Sequence, residues 1–117
     1  MKSAEFIRKV TPRKLREVLA YSDFDEYSHK VYSQEGEDLL LSRIFDHQPT
    51  GFYVDCGAHH PFRFSNTKLL YDKGWRGINI EPNPEVSDLF KRYRPNDMYC
   101  GVGVSEQKGT IPYYVYG

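Results

Sequence analysis

The sequence predicts an α/β fold, a partial parallel sheet with crossover helices, preceded by a short N-terminal helical arm. Three observations carry this expectation. Two short apolar runs, residues 51–55 and 77–81, each have strand length and end in an acid. Each is followed by a loop and a segment with helical spacing, and further strand-like runs begin at Met98 and Thr110. Strand, helix, strand, helix, strand is the order that gives a parallel sheet with right-handed crossovers.

The 117 residues suffice for one domain and not for two. Residues 1–30 read as the arm and linker, and residues 31–117 as the domain. In the arm, Thr11 and Pro12 mark a helix start: a capping hydroxyl, then a residue whose missing N–H costs nothing in a first turn. Leu15, Val18 and Leu19 follow as a short apolar stripe. Residues 21–32 are polar and aromatic without a period, as in a linker.

The domain opens with a helix near Ser33, which can cap it, with Glu35, Glu37 and Asp38 at the positive end of its dipole. Leu40, Leu41, Ile44 and Phe45 are its expected buried face. After the first strand and a loop over residues 56–64, Ser65 is the expected cap of a helix running to about Lys73, with Gly74 as its stop. Asn83 and Pro84 open the next helix, where Val86, Leu89, Phe90 and Tyr93 recur at helical spacing, and Pro95 closes it. Residues 98–104 and 110–116 are the third and fourth expected strands.

Composition excludes several classes. Sixteen Lys plus Arg balance sixteen Asp plus Glu, so no net field recruits nucleic acid or an anionic membrane. No apolar run approaches the roughly 18 residues needed to cross a bilayer, and the first residues lack a signal-peptide core; the expected compartment is the cytoplasm. Cys56 and Cys100 show no zinc spacing, and no metal site is expected. Both are expected as free, buried thiols, the commonest state of cysteine in a cytosolic enzyme.

Ligands of open parallel sheets bind at the carboxyl ends of the strands. Asp55 and Glu81 both lie at such ends, and a carboxylate closing the second strand can accept from both hydroxyls of a ribose. Singly, Asp55 reads as a turn cap and Glu81 as a solvated strand end. Together, with Gly57 between them, they read as an adenosyl site. The loop D-C-G-A-H-H-P holds one glycine where a dinucleotide needs G-x-G-x-x-G, so a pyrophosphate fits poorly. The sulfonium of S-adenosyl-L-methionine suits a pocket edged by Asp55 and Glu37. Adjacent His59 and His60 are a poor chelating pair and are expected to shape the loop rather than act as a base. Arg63 and Arg76 read as solvated charge, and Trp75 as packing under the second strand.

Four motifs run in order: Y-S-Q-E-G-E-D over residues 32–38, F-Y-V-D-C-G-A-H-H-P over 52–61, S-N-T over 65–67 and G-W-R-G-I-N-I-E-P-N-P over 74–84. R-P-N-D at 94–97 and G-V-S at 103–105 continue them. This string resembles the FkbM family of methyltransferases, which methylate hydroxyls, often on sugars or natural products. The resemblance implies a Rossmann-like class I methyltransferase fold using S-adenosylmethionine, with the second strand between the first and third, so that Cys56 and Cys100 stand roughly 10 Å apart, beyond disulfide reach. It implies that Asp55, Gly57 and Ala58 form the methionine-side loop and that Glu81 is the ribose acid. Gln34, Gly36, Glu37 and Asp38 match a segment that lies over the cofactor, and residues 103–105 a position beside the adenine. Asn66 is read as structural first and cofactor-lining second, and Asn83 as a helix cap.

Family members continue with a strand carrying an acidic D-x-E-G element, so the chain is expected to be the cofactor-binding half of the domain. Two readings follow: an O-methyltransferase acting on a sugar or small-molecule hydroxyl, or a non-catalytic adenosyl-binding subunit completed by a partner chain. Unpaired strand edges carry an expectation of self-association.

Overall fold

The computed structural model describes residues 30–114. The expected arm helix at Thr11, with its stripe of Leu15, Val18 and Leu19, lies outside the described residues. Helix α1 spans Glu37–Ile44, strand β1 Phe52–Cys56, helix α2 Lys68–Asp72 and strand β2 Arg76–Ile80. A 3-10 turn at Pro84–Val86 runs into helix α3, Ser87–Tyr93, and strand β3 is Met98–Cys100. All pairings are parallel and the sheet order is β1-β2-β3, as expected.

The two crossover helices differ in how they are held. Helix α2 has five residues and is too short to stand alone. Tertiary contacts and its C-terminal turn fix it. Gly74 takes a left-handed φ of 107°; its N–H donates to the Tyr71 carbonyl and that of Trp75 to the Leu70 carbonyl, a Schellman arrangement that satisfies the helix's last acceptors. The expected stop therefore holds, but the expected cap does not. Thr67, not Ser65, occupies the N-cap position, because Ser65 is buried at 1% exposure and its hydroxyl is engaged by Arg94. Before α3, Asn83 caps as expected: its side-chain oxygen accepts from the Glu85 N–H at 3.0 Å, with Pro84 next.

One face of the sheet is packed. Tyr53, Leu70 and Trp75 form one buried cluster, lined by Leu41, Phe45 and Tyr71. Ala58, Val86 and Phe90 form a second, lined by Leu89 and Tyr99. Trp75 is 4% exposed, as expected of a residue under β2, and its indole N–H donates to the Gln48 carbonyl. Alternation sends Phe52, Val54 and Met98 to the opposite face, where each is more than half exposed.

Several expectations are corrected. Residues 101–114 form no strand and are exposed throughout; an apolar run becomes a strand only when a neighbouring ladder takes its backbone groups, and here none does among the described residues. Strand β3 accordingly stops at Cys100 instead of 104. Leu40 and Ile44 are exposed, and only Leu41 and Phe45 of the expected stripe pack inward. The N-cap of α1 is Gly36, at φ 87°, rather than Ser33. Both cysteines are free, but Cys56 is exposed and Cys100 half-buried, because they point away from the helices.

Candidate functional site

The carboxyl ends of β1 and β2 bring the expected acids to one face. Register pairs Asp55 with Asn79 and Cys56 with Ile80, so Glu81 continues β2 one residue past the last pair. Its N–H donates to the Cys100 carbonyl, which keeps it on the sheet. Asp55, Asn79 and Glu81 share the helix-side face by alternation. Strand spacing and rise put the α-carbons of Asp55 and Glu81 about 8 Å apart.

Glu81 ties together the loops that follow both strands. One carboxylate oxygen accepts from the His59 N–H and the other from the Asn83 N–H, both at 2.9 Å. The residue is 7% exposed. Two of the roughly four acceptor positions of a carboxylate are thereby used. The Ile80 carbonyl accepts from the N–H groups of Gly57 and Ala58 at 2.8 and 3.1 Å, folding the first loop across the end of β2. Gly57 has φ 75°, and a Cβ built there meets nothing within 4 Å, so open space lies beside its backbone.

The two histidines behave differently. His60 accepts at Nδ1 from the N–H groups of Phe62 and Arg63, at 3.1 and 3.0 Å. Burial first, then the charges of His59, Arg63 and Arg94, hold its pKa below the ordinary value. Because Nδ1 accepts from two N–H groups it carries no proton in this arrangement, and the ring shapes the loop as expected. His59 takes φ 58° and stacks on Phe64, with ring centroids 5.7 Å apart.

Asp55 is held by Thr67, whose hydroxyl donates to Oδ2 at 2.8 Å. Behind Thr67 lies Arg94, 1% exposed. Its guanidinium donates to the Thr67 hydroxyl at 2.8 Å, the Ser65 hydroxyl at 2.6 Å, the Pro61 carbonyl at 2.8 Å and the Asn79 side chain at 3.3 Å. Asp97 stands 3.9 Å from it and accepts from the Gly77 N–H, the Asn79 amide and the Tyr53 hydroxyl. Every buried side-chain polar atom among the described residues is satisfied.

The segment before α1 joins this group at one remove. Asp38, fully buried, accepts from the Tyr32 and Leu39 N–H groups and the Ser33 hydroxyl, and is committed to that turn. The Tyr32 carbonyl accepts from the Ser65 N–H at 3.0 Å. Gln34 and Glu37 are exposed and Gly36 half-buried. Backbone N–H groups of Glu37 itself and of Glu35 hold the Glu37 pKa below the usual carboxylate range.

Asp55, Gly57, Ala58 and Glu81 therefore gather at two strand ends, while Asn66 is exposed beside Thr67. The segment that holds Gln34, Gly36 and Glu37 reaches the group through the Tyr32–Ser65 backbone contact and through the Lys68 ammonium, which lies over the Tyr32 ring. Arg76 is half-buried and donates to the Tyr71 and Trp75 carbonyls, so it is not plain solvated charge, whereas Arg63 is exposed, as expected, over the neighbouring Phe64 ring. Sequence reading missed Thr67 as the partner of Asp55, and the buried pair Arg94 and Asp97. Position 94 continues the inward stripe of Val86 and Phe90 at steps of four, a signal that was present. Among the described residues no group of His, Cys, Asp and Glu could hold a metal, and no helix is long and apolar enough to cross a membrane.

Compared with known proteins, the chain matches the family model described as the methyltransferase FkbM domain over residues 55–117, more than half of its length. The match begins at Asp55 and includes Gly57, Ala58, Thr67, Glu81, Arg94 and Asp97. No curated protein and no solved structure matches.

Proposed function

The chain belongs to the FkbM methyltransferase domain family, and we propose that it transfers a methyl group from S-adenosylmethionine to a hydroxyl of a sugar or other small molecule, on a Rossmann-like class I methyltransferase sheet. The observation that carries this reading is the pair of carboxylates on neighbouring parallel strand ends, Asp55 and Glu81, with the Gly57 loop folded between them.

The residues present fit the cofactor. Glu81 is fixed by two backbone donors and retains acceptor positions for the two hydroxyls of a ribose. Asp55 is held through Oδ2, and its Oδ1 takes no protein donor among the described residues, so that oxygen is available to an ammonium group. The open space beside Gly57 admits the linking atoms. A dinucleotide fits less well. Residues 57–67 separate β1 from the five-residue α2, so no helix N-terminus directly follows the strand to receive a pyrophosphate.

When bound, S-adenosylmethionine would supply an electrophilic sulfonium methyl for in-line displacement by an acceptor hydroxyl, the S–CH3 bond breaking to leave the thioether S-adenosylhomocysteine and the hydroxyl proton passing to solvent. The contribution of the chain is to bind and orient, which can supply much of the acceleration in such a transfer. Glu81 anchors the ribose, and Asp55 the charged end. His60 takes no proton in this scheme, because its Nδ1 serves two backbone donors.

Calorimetric titration of the full chain with S-adenosylmethionine and, separately, with NAD tests the reading. Binding of the first with no measurable binding of the second is expected. Preference for NAD would overturn it.

A further inference from the structure

The adenosyl reading gives Asp55 a ligand but leaves unexplained why a buried arginine lies two hydrogen bonds behind it. We propose that Arg94, acting through Thr67, is a positioning residue for Asp55 and thereby for the amino-acid end of the cofactor; the inference rests on the cofactor reading above.

The argument is one of donors and acceptors. A guanidinium has only donors, and an ionised carboxylate only acceptors. A threonine hydroxyl has one proton and can rotate. Arg94 Nη1 lies 2.8 Å from the Thr67 oxygen on one side, and Asp55 Oδ2 lies 2.8 Å from it on the other. The arginine can only donate, so the hydroxyl must accept from it and turn its proton toward Asp55. Thr67 is 6% exposed, which leaves little water to compete for that proton. The result is a fixed polarity, Arg94 to Thr67 to Asp55, in which Oδ2 is occupied and Oδ1 is left without a protein donor among the described residues.

Arg94 is itself unable to turn. Its other donors hold the Pro61 carbonyl and the Ser65 hydroxyl, both in the loop that leads from β1 to α2, and the Asn79 side chain on β2. Residue 94 thus fastens the loop to the sheet and orders the carboxylate in one arrangement. Lysine could not reproduce it, since a point ammonium lacks the planar fork that reaches four partners.

Removing Arg94 risks the fold, so Thr67 provides the test. Thr67→Val keeps shape and loses the hydroxyl, and Thr67→Ser restores it. Each full-length variant, checked for a cooperative melt, is titrated with S-adenosylhomocysteine, which has the amino-acid end, and with methylthioadenosine, which lacks it. Thr67→Val is expected to weaken S-adenosylhomocysteine binding by about tenfold, the scale of one hydrogen bond to a charged group. Methylthioadenosine binding stays unchanged, and Thr67→Ser recovers the loss. Equal losses for both ligands, or none for either, would overturn the relay while leaving the cofactor reading intact. Failure of the unaltered chain to bind either ligand would overturn the cofactor reading, and the relay with it.

Discussion

The Tyr53 hydroxyl donates to Asp97 Oδ2 at 2.5 Å, linking β1 to the turn before β3 across the packed face of β2. Gly77 lies beneath the Tyr53 ring, and the same carboxylate accepts its N–H and the Asn79 amide. Burial, then the bond and charge of Asp97, push the Tyr53 phenol well above its ordinary pKa. Tyr53→Phe leaves a buried carboxylate one donor short and should cost about 1–3 kcal/mol in a denaturant melt. A raised folded pKa means that the stability contributed by Tyr53 is complete below pH 10, the ordinary tyrosine value, and declines above it as the unfolded phenol ionises. Stability of Tyr53→Phe should therefore fall less steeply with alkaline pH than that of the unaltered chain.

A methyl group at position 77 would overlap both the ring and the carbonyl oxygen of Tyr53. The ring could shift, but the carbonyl belongs to β1 and is fixed by the ladder. Gly77→Ala should destabilise the chain by about 1–3 kcal/mol, the usual cost of overpacking, read as a lowered midpoint in the same melt. An unchanged midpoint would contradict the described packing of β1 against β2.

His60 gives a pH signature of opposite sign. Its folded pKa lies below the ordinary 6.5, so the contribution of its neutral ring is complete above that pH. It is lost as pH falls below 6.5 toward the folded value, because the unfolded ring takes the proton first. Protonation also removes the lone pair that serves Phe62 and Arg63. Thermal melts between pH 7 and pH 5 should show a decline that is smaller in His60→Gln.

The thiols test the sheet order. Ile80 stands between Cys56 and Cys100 in register, so two strand spacings, roughly 10 Å, separate them. That exceeds the reach of a disulfide. Mass spectrometry after alkylation under denaturing, non-reducing conditions should find both thiols modified, and a Cys56–Cys100 bridge would contradict the topology.

The sequence was most legible where local chemistry decides. The strands expected at 51–55 and 77–81 lie at 52–56 and 76–80, and their parallel direction, the Asn83 cap and the Gly74 stop follow from spacing, turn residues and caps. Burial of polar side chains was not legible. Arg94 and Asp97 sit in an R-P-N-D run that closes a helix, and only packing against Pro61, Ser65 and Asn79 turns them inward. Pattern also misled at 110–114, the described part of the expected last strand, where aromatic residues suggest a strand but strandedness belongs to a pair of segments rather than to one. Leu40 and Ile44 show the same limit: helical spacing identifies a face, and the position of the neighbours decides whether it is covered.

The central claim, that Glu81 anchors an adenosyl cofactor by its ribose, is tested most directly by calorimetric titration of Glu81→Ala with S-adenosylhomocysteine. The substitution also frees the N–H groups of His59 and Asn83, so Glu81→Gln, which keeps one acceptor oxygen, is measured beside it. In protein shown by its melt to be folded, Glu81→Ala should bind about 1–3 kcal/mol more weakly than the unaltered chain, with Glu81→Gln between the two. Affinity unchanged in a folded Glu81→Ala chain would contradict the assignment.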